Sequence, residues 1–240
     1  MESFSMTDVG RSRENNQDSV FCEDASVGLF SNLFLVADGM GGHNAGDLAS
    51  KTCIEEFVNA LKKSDKRTPV SALEAAVSYA NSAIIAKSKE DPGYSGMGTT
   101  LVGMTIDQGT AYIVNIGDSR LYLMRDGLRQ ITVDHSLVEE MVQNGEIGKE
   151  QMRTHPNKNI ITRALGTADE PVPDCFEIEV NEGDVFLLCS DGLSNMLDDR
   201  EIEKIISEEK DLKSMCKTLV DSANDAGGKD NISVVLVRID

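Results

Sequence analysis

Strand-like segments that come in pairs constrain the fold of this chain more than any other feature. Each pair consists of two apolar segments separated by a short turn that contains Asp or Asn together with Gly, which is typical of an antiparallel β-hairpin. Further strands are predicted at residues 33–37 and 232–239. The predicted hairpins pair residues 99–106 with 111–116, 120–124 with 128–131, and 176–180 with 184–189.

The predicted helices also come in pairs, and in each of them apolar residues recur at three- and four-residue spacing. Thr68-Pro69 is typical of an N-cap followed by proline in the first turn. Hairpins combined with helix pairs predict an α/β fold of the α+β kind, with two packed sheets and helices outside, rather than a parallel βαβ sheet. The predicted helices cover residues 47–62, 69–89, 137–144, 198–208 and 212–224.

The chain is expected to form one domain over residues 1–240, because it contains no repeat and no Pro/Ser-rich linker. Residues 146–173 are polar and lack clear periodicity, so we expect a surface flap there. The sequence has no 18-residue apolar run, no signal-peptide pattern and no C-x-x-C pair among its five cysteines. These features predict a cytoplasmic protein with reduced thiols and no membrane association.

Acidic residues dominate the charge balance, since 23 Lys and Arg against 41 Asp and Glu leave a net charge of −18. This excess disfavours nucleic-acid binding, because a phosphate backbone would be repelled. It reflects either solubility or carboxylates gathered around cations. Five aspartates stand where a predicted strand stops or starts or beside a switch from polar to apolar sequence, namely Asp18, Asp38, Asp118, Asp191 and Asp230.

These aspartates have two interpretations. One is turn chemistry, because Asp accepts backbone hydrogen bonds and Asp-Gly is a common turn. The other is convergence at one edge of the sheets, where their mutual repulsion would require cations. Oxygen ligands suit Mg²⁺ or Mn²⁺, and the lack of His or Cys clusters argues against zinc. Gly39, Gly41 and Gly42 would let the backbone approach a metal or substrate closely.

Rival motifs fail on the sequence itself. A Walker A loop would need Lys where Asp47 stands, and the dinucleotide fingerprint that starts at Gly39 fails at Asn44. An aspartyl-phosphate enzyme would need a nucleophilic Asp at Val36, and no cysteine has the arginine spacing of a cysteine phosphatase. With these covalent mechanisms excluded, attack by a metal-activated water is the mechanism that the sequence leaves. Arg13 is either a solvated loop arginine or a guanidinium fork for phosphate.

Eight segments together resemble the metal-dependent Ser/Thr protein phosphatases, the PPM or type-2C family, in its compact bacterial form. They occur in family order and span almost the whole chain. The segments are TDVGRSRENNQD, FLVADGMGGHNAGDLAS, GTTLVG, NIGDSRLYL, TVDHSLVEEMVQNGEI, NIITRALG, GDVFLLCSDGLSNML and DNISVVLV.

The resemblance implies a four-layer α-β-β-α sandwich with helix pairs on both outer faces. It implies hydrolysis of phosphoserine and phosphothreonine in proteins by a water that bridges two Mn²⁺ or Mg²⁺ ions. It also implies phosphorylated protein substrates, which include a cognate Hanks-type Ser/Thr kinase, and we expect a monomer. The flap at residues 146–173 is expected to tune substrate choice.

The resemblance also implies a role for each matching residue. Arg13 corresponds to the phosphate-binding arginine. Asp118 corresponds to a ligand of a third, weaker metal that Asp191 shares. The remaining metal-site residues are Asp38 as the bridging carboxylate, Gly39 through its carbonyl, Asp191 and Asp230 as ligands of the other ion, and Asp18 as the residue that orients metal-bound waters.

The proton donor to the leaving group stays open at this point. Animal members of the family have a histidine where this chain has Met40, whereas His43 matches a histidine common in bacterial members. His43 is a candidate general acid or a loop histidine that binds nearby backbone. A metal-bound water is the alternative donor.

Two other functional hypotheses remain at the level of sequence. A phosphatase-like fold can act as a binding or regulatory module without turnover, because fold alone does not determine function. An enzyme of this type can also hydrolyse small phosphomonoesters or phosphotyrosine.

Overall fold

The computed structural model describes residues 1–42, 45–66 and 68–240. Its eleven strands form two antiparallel sheets within this part of the chain. The first sheet has the order β1-β11-β10-β7-β8 and the second the order β2-β3-β5-β6-β9, with β4 attached to β3. The strands are β1 (Glu2–Asp8), β2 (Asp18–Glu23), β3 (Leu33–Met40), β4 (Gly98–Thr99), β5 (Leu101–Asp107), β6 (Thr110–Ile116), β7 (Arg120–Met124), β8 (Leu128–Gln130), β9 (Asp174–Glu179), β10 (Val185–Cys189) and β11 (Ile232–Arg238).

Seven α-helices and one 3₁₀ turn connect these strands in the described residues. Thr68 caps its helix as predicted, because its side chain accepts a hydrogen bond from the Ser71 N–H group and proline follows in the first turn. No described helix combines the length and apolar character that a membrane span requires. The helices are α1 (Ala45–Lys62), α2 (Pro69–Ser88), α3 (Leu137–Gln143), α4 (Lys149–Met152), α5 (Asp191–Ser194), α6 (Asp199–Glu208) and α7 (Leu212–Asp225).

Three apolar clusters hold the layers together. One lies between α1, α2 and the second sheet, and includes the fully buried Phe57 and Leu73. Another lies between the first sheet and the helices α6 and α7, and includes Leu219. The third fills the space between the sheets, where Phe34 meets Phe186 from the opposite sheet. The predicted sandwich of two antiparallel sheets with helices on both outer faces is therefore confirmed.

Two of the three predicted hairpins form, and the third is wrong. Strand β5 pairs with β6 through a turn in which Gln108 and Gly109 have φ angles of 47° and 80°, and β7 pairs with β8. Strand β9, however, pairs with β6 in the second sheet, whereas β10 pairs with β7 and β11 in the first. The turn after β9 therefore carries the chain from one sheet to the other.

An ion pair holds this crossing turn. Arg125 donates from Nε to Asp184 Oδ1 at 2.8 Å and from Nη2 to Asp184 Oδ2 at 2.6 Å. The Asn181 N–H group donates to the same carboxylate at 2.8 Å. Burial alone would raise the pKa of Asp184, but the hydrogen bonds from Arg125 and Asn181 outweigh it and hold the pKa below its usual value.

Replacing Asp184 with asparagine is expected to lower the Tm at pH 7 by several degrees. A depressed pKa stabilises the fold above the unfolded-state pKa, and the contribution is lost as the pH falls through the folded-state value. The Tm difference from wild type should therefore shrink between pH 5 and pH 2, as measured by calorimetry. The exposed Asp126 in the neighbouring turn gives the matched control Asp126→Asn. A Tm difference that does not change with pH would contradict the role of the ion pair.

Candidate metal centre

The end of β3 places Asp38 at the rim between the sheets. The Asp38 N–H group donates to Thr100 Oγ1 at 3.0 Å, and its carbonyl accepts from the Thr100 N–H group at 2.9 Å. Asp18 stands directly opposite Asp38 in the β2–β3 ladder. The backbone of both carboxylates is therefore set by strand pairing.

Gly39 lies where β3 meets the start of α1. A Cβ atom on Gly39 would lie 2.0 Å from the carbonyl oxygen of Gly46 and 2.6 Å from that of Gln17. No real Cβ tolerates such contacts, so the glycine is required for the close approach of these backbones. This confines the backbone next to Asp38.

The other sheet contributes Asp191, the first residue of α5. Asn195 donates from Nδ2 to Asp191 Oδ2 at 2.9 Å. The preceding Ser190 donates from Oγ to Asp18 Oδ2 at 2.7 Å and accepts from the Ser233 N–H group at 3.0 Å. Ser190 therefore connects a carboxylate of one sheet to two strands of the other.

Asp230 lies two residues before β11 and forms an ion pair with Arg13. Arg13 donates from Nη2 to Asp230 Oδ2 at 2.8 Å, and its side chain is 52% exposed. Asn231 accepts from the Gln17 N–H group through Oδ1 at 2.8 Å and donates from Nδ2 to the Asn15 carbonyl at 3.0 Å. The loop that carries Arg13 is thus tied to the strand that carries Asp230.

Burial of several carboxylates in one place perturbs their titration. Burial, reinforced by repulsion from neighbouring aspartates, raises the pKa of Asp18 to about 7, that of Asp118 to about 8 and that of Asp191 to about 6. The same causes raise the pKa of Asp38 well above its usual value, with Asp18 and Asp191 as its strongest neighbours. Repulsion from Asp230 contributes to the shifts of Asp18 and Asp191. These aspartates therefore share one electrostatic environment.

Two carboxylate oxygens in this group have no hydrogen-bond partner although they are buried, namely Asp18 Oδ1 and Asp191 Oδ1. An unpartnered buried carboxylate oxygen is costly unless a cation compensates it. Oxygen donors of this kind fit Mn²⁺ or Mg²⁺, which keep several waters in addition to protein ligands. The residues present therefore fit a divalent-cation site.

The fold brings the predicted aspartates to one region, but their side chains are not yet arranged around a common point as metal ligands would be. Within the described residues, no three His, Cys, Asp or Glu side chains already form a group that could hold a metal ion. Asp230 is bound by Arg13, and Asp191 by Asn195. The ligand roles of the five aspartates and Gly39 therefore stay predictions. His43 lies outside the described residues.

Ser190 and Asn231 are site residues that sequence reasoning missed. Each lies next to a predicted aspartate, yet each acts through contacts to residues far away in the chain. Their position beside Asp191 and Asp230 was the only available signal. Small polar residues at such places are ordinary in turns, so the signal was weak.

The fold and the aspartate cluster together point to one class of protein. Buried aspartates that suit divalent cations lie at the rim between two antiparallel sheets, with an arginine beside them. On an α-β-β-α sandwich this combination is the one expected of the metal-dependent phosphatases that the sequence resembles.

Comparisons with known proteins agree with this class. A family model described as Protein phosphatase 2C matches residues 9–236. The serine/threonine phosphatase stp of Listeria monocytogenes is 39% identical over 244 residues, which cover 98% of this chain and 94% of that protein. The chain belongs to the protein phosphatase 2C family.

Solved structures show the same fold. The serine/threonine phosphatase of S. agalactiae superposes with a TM-score of 0.92 at 34% identity, covering 100% of this chain and 99% of that one. The catalytic domain of PstP, described in complex with two manganese ions, gives a TM-score of 0.88 at 35% identity and covers 100% and 98% of the two chains.

Proposed function

We propose that this chain is a serine/threonine protein phosphatase that hydrolyses phosphoserine and phosphothreonine in a reaction dependent on Mn²⁺ or Mg²⁺. The observation that carries the proposal is the group of buried aspartates with two unpartnered oxygens in a chain of the protein phosphatase 2C family. Such a cluster is chemically sensible when divalent cations are bound to it.

The residues around the cluster have distinct tasks in this proposal. Asp38, Asp191 and Asp230 would hold two core ions together with the Gly39 carbonyl. Asp18, fixed by the hydrogen bond from Ser190, would orient water. When bound, the cations supply Lewis-acid activation of water and neutralise charge on the phosphoryl oxygens.

Arg13 is proposed to bind the phosphoryl group of the substrate. Its guanidinium lies beside Asp230 and is half exposed, so one face remains accessible from solvent. A guanidinium can donate two parallel hydrogen bonds to phosphate oxygens, which an ammonium group cannot. His43 remains a candidate proton donor to the leaving group, and Asp118 a candidate ligand for a third ion.

The substrates, the partner and the compartment are also proposed, from the protein family and the net charge of the chain. Phosphorylated proteins are the substrates, and a Hanks-type Ser/Thr kinase is a candidate partner. We propose a cytoplasmic, monomeric, single-domain enzyme that does not bind nucleic acid. The net charge of −18 supports the last point because it opposes association with a polyanion.

The purified protein is expected to release phosphate from a phosphothreonine peptide in the presence of Mn²⁺. Chelation with EDTA should reduce the rate at least about 100-fold, because cations supply several kcal/mol of transition-state stabilisation. Added Mn²⁺ should also raise the Tm, because a ligand that binds only the folded state stabilises it. Phosphate release and calorimetry measure the two effects.

The substrate class is determined by comparing the hydrolysis rates of phosphoserine, phosphothreonine and phosphotyrosine versions of the same peptide. Faster hydrolysis of the phosphotyrosine peptide would contradict the proposed specificity. Isothermal titration that detects no Mn²⁺ binding would favour a regulatory module without turnover.

A further inference from the structure

A cleft of about 370 Å³ opens beside the candidate metal centre. Asp118 and Asp191 lie in its wall, so the cleft is continuous with the aspartate cluster. One side is formed by the flap, which contributes Lys149, Arg153 and Lys158. The opposite side is formed by α5 and the start of α6. A peptide segment next to a phosphorylated residue in the metal centre can therefore lie in this cleft.

Arg153 holds the flap against the opposite side of the cleft. It donates from Nη1 to the Leu197 carbonyl at 3.2 Å and from Nη2 to the Asn195 carbonyl at 3.3 Å. Both acceptors belong to the segment that follows Asp191, and Asn195 also binds the Asp191 carboxylate. Arg153 therefore links the flap to the segment that follows Asp191 and positions the flap across the cleft from it.

Three cations in the cleft wall have no partner among the described residues. The side chains of Lys149, Lys158 and Arg200 form no ion pair or hydrogen bond with any residue in ranges 1–42, 45–66 and 68–240. All three belong to the wall of one cleft, so their charges can act on the same bound group. They lie beside the place where an anionic substrate must bind.

The carboxylates outside the metal centre are, by contrast, already engaged. Asp134 accepts three hydrogen bonds from Arg120, the shortest at 2.7 Å. Asp198 accepts from the Glu201 N–H group and caps α6. Asp199 lies in the first turn of that helix, where the helix dipole favours a negative charge. On the side of the flap, the lining residues are Lys149, Met152, Arg153 and Lys158, which include three cations and no carboxylate.

We propose that this cleft binds an anionic side chain of the phosphoprotein substrate close to its phosphorylated residue, with Lys149, Lys158 and Arg200 as the residues that determine specificity. The proposal rests on the proposed phosphatase function and deepens it. The bound group is a Glu or Asp carboxylate or a second phosphoryl group, which share the same attraction to ammonium and guanidinium cations. The flap thereby selects acidic phosphorylation sites.

The test compares phosphothreonine peptides that differ at one flanking position. Glu, Gln or a non-hydrolysable phosphonate residue is placed in turn at each position from −4 to +4 around the phosphothreonine. At one or two positions, the wild type should prefer the Glu peptide over the Gln peptide by about fivefold in kcat/KM, as expected for one or two solvent-screened ion pairs. The gain should appear in KM rather than kcat, and should shrink when NaCl rises from 50 to 500 mM.

The variant Lys149→Gln/Lys158→Gln/Arg200→Gln should bring the Glu-to-Gln preference close to one, with each rate divided by the same variant's rate on p-nitrophenyl phosphate. The matched control is Lys63→Gln/Lys89→Gln/Lys213→Gln, which removes three exposed lysines outside the cleft and should keep the preference. A larger preference for the phosphonate than for Glu would identify a second phosphate as the bound group.

Two results would overturn the inference while the phosphatase function stands. One is hydrolysis of all peptides without any Glu preference, and the other is a preference that the triple variant retains. Failure of the wild type to hydrolyse both p-nitrophenyl phosphate and the peptides would instead remove the proposed function itself.

Discussion

Replacing Asp38 with asparagine is expected to lower kcat at least about 10³-fold, equivalent to about 4 kcal/mol of transition-state stabilisation. Burial and repulsion from four neighbouring aspartates raise the pKa of Asp38 well above its usual value, and Asp38 is proposed to bridge the two core ions. Asparagine keeps the size of the side chain but removes the charge that two cations require. The Mn²⁺-induced rise in Tm should be lost with the activity.

The same substitution is expected to stabilise the protein in EDTA, by a few degrees in Tm at pH 7. Burial and neighbouring aspartates raise the pKa of Asp38 in the folded state. A group with a raised folded-state pKa makes the fold less stable as the pH rises above the unfolded-state value. The gain in Tm for Asp38→Asn should therefore grow between pH 4 and pH 7, as calorimetry in EDTA can measure.

Asp107→Asn is the matched control for these two effects. Asp107 also ends a strand and precedes a turn, but it belongs to the β5–β6 hairpin rather than to the aspartate cluster. Its replacement should leave kcat and the Mn²⁺ response near the wild-type values. If Asp38→Asn behaved like Asp107→Asn, strand-end aspartates would be turn residues here and the metal assignment would fail.

Replacing Gly192 with alanine is expected to destabilise the protein by about 3 kcal/mol, as for severe overpacking in a core. A Cβ atom at this position would lie 1.9 Å from the carbonyl oxygen of Asn231. Backbone atoms cannot rotate away as a flexible side chain can, so the segments that carry Asp191 and Asp230 must move apart. Mn²⁺ affinity and activity should fall together, as measured by calorimetric titration and peptide hydrolysis.

Gly42→Ala provides the control for adding a methyl group near the site. A Cβ atom there meets no described residue within 4 Å. It should cost little stability, and Mn²⁺ binding should persist. Equal effects of the two substitutions would show that the contact between Gly192 and Asn231 does not hold the two aspartates together.

Most helices and central strands could be predicted because their signals are local. The pattern of Thr68-Pro69 and the apolar spacing after it led directly to α2. The strands β1 and β2 were missed, because both lie at sheet edges, where most of their residues are only half buried and no long apolar run is needed. The hairpin predicted at residues 176–189 was wrong for a different reason.

A turn signal in the sequence predicts that the chain changes direction, but it does not say which sheet the next strand joins.

The aspartates could be predicted as a group because each one follows or precedes a strand-like or apolar segment. Their hydrogen-bond partners could not. The contact of Ser190 with Asp18 spans 172 positions in the chain, and that of Arg13 with Asp230 spans 217. No periodicity or spacing rule relates residues so far apart.

By itself the sequence determined the kinds of element, the turns that separate them and the acidic residues placed at strand ends. Periodicity and turn chemistry depend on residues that are close together in the chain, so they can be recognised in the sequence without knowledge of the fold. The tertiary structure decided which strands share a sheet, which carboxylate oxygens stay without partners and which cations of the flap face the cleft. These properties depend on packing between distant segments, where burial and long-range charge contacts set the outcome.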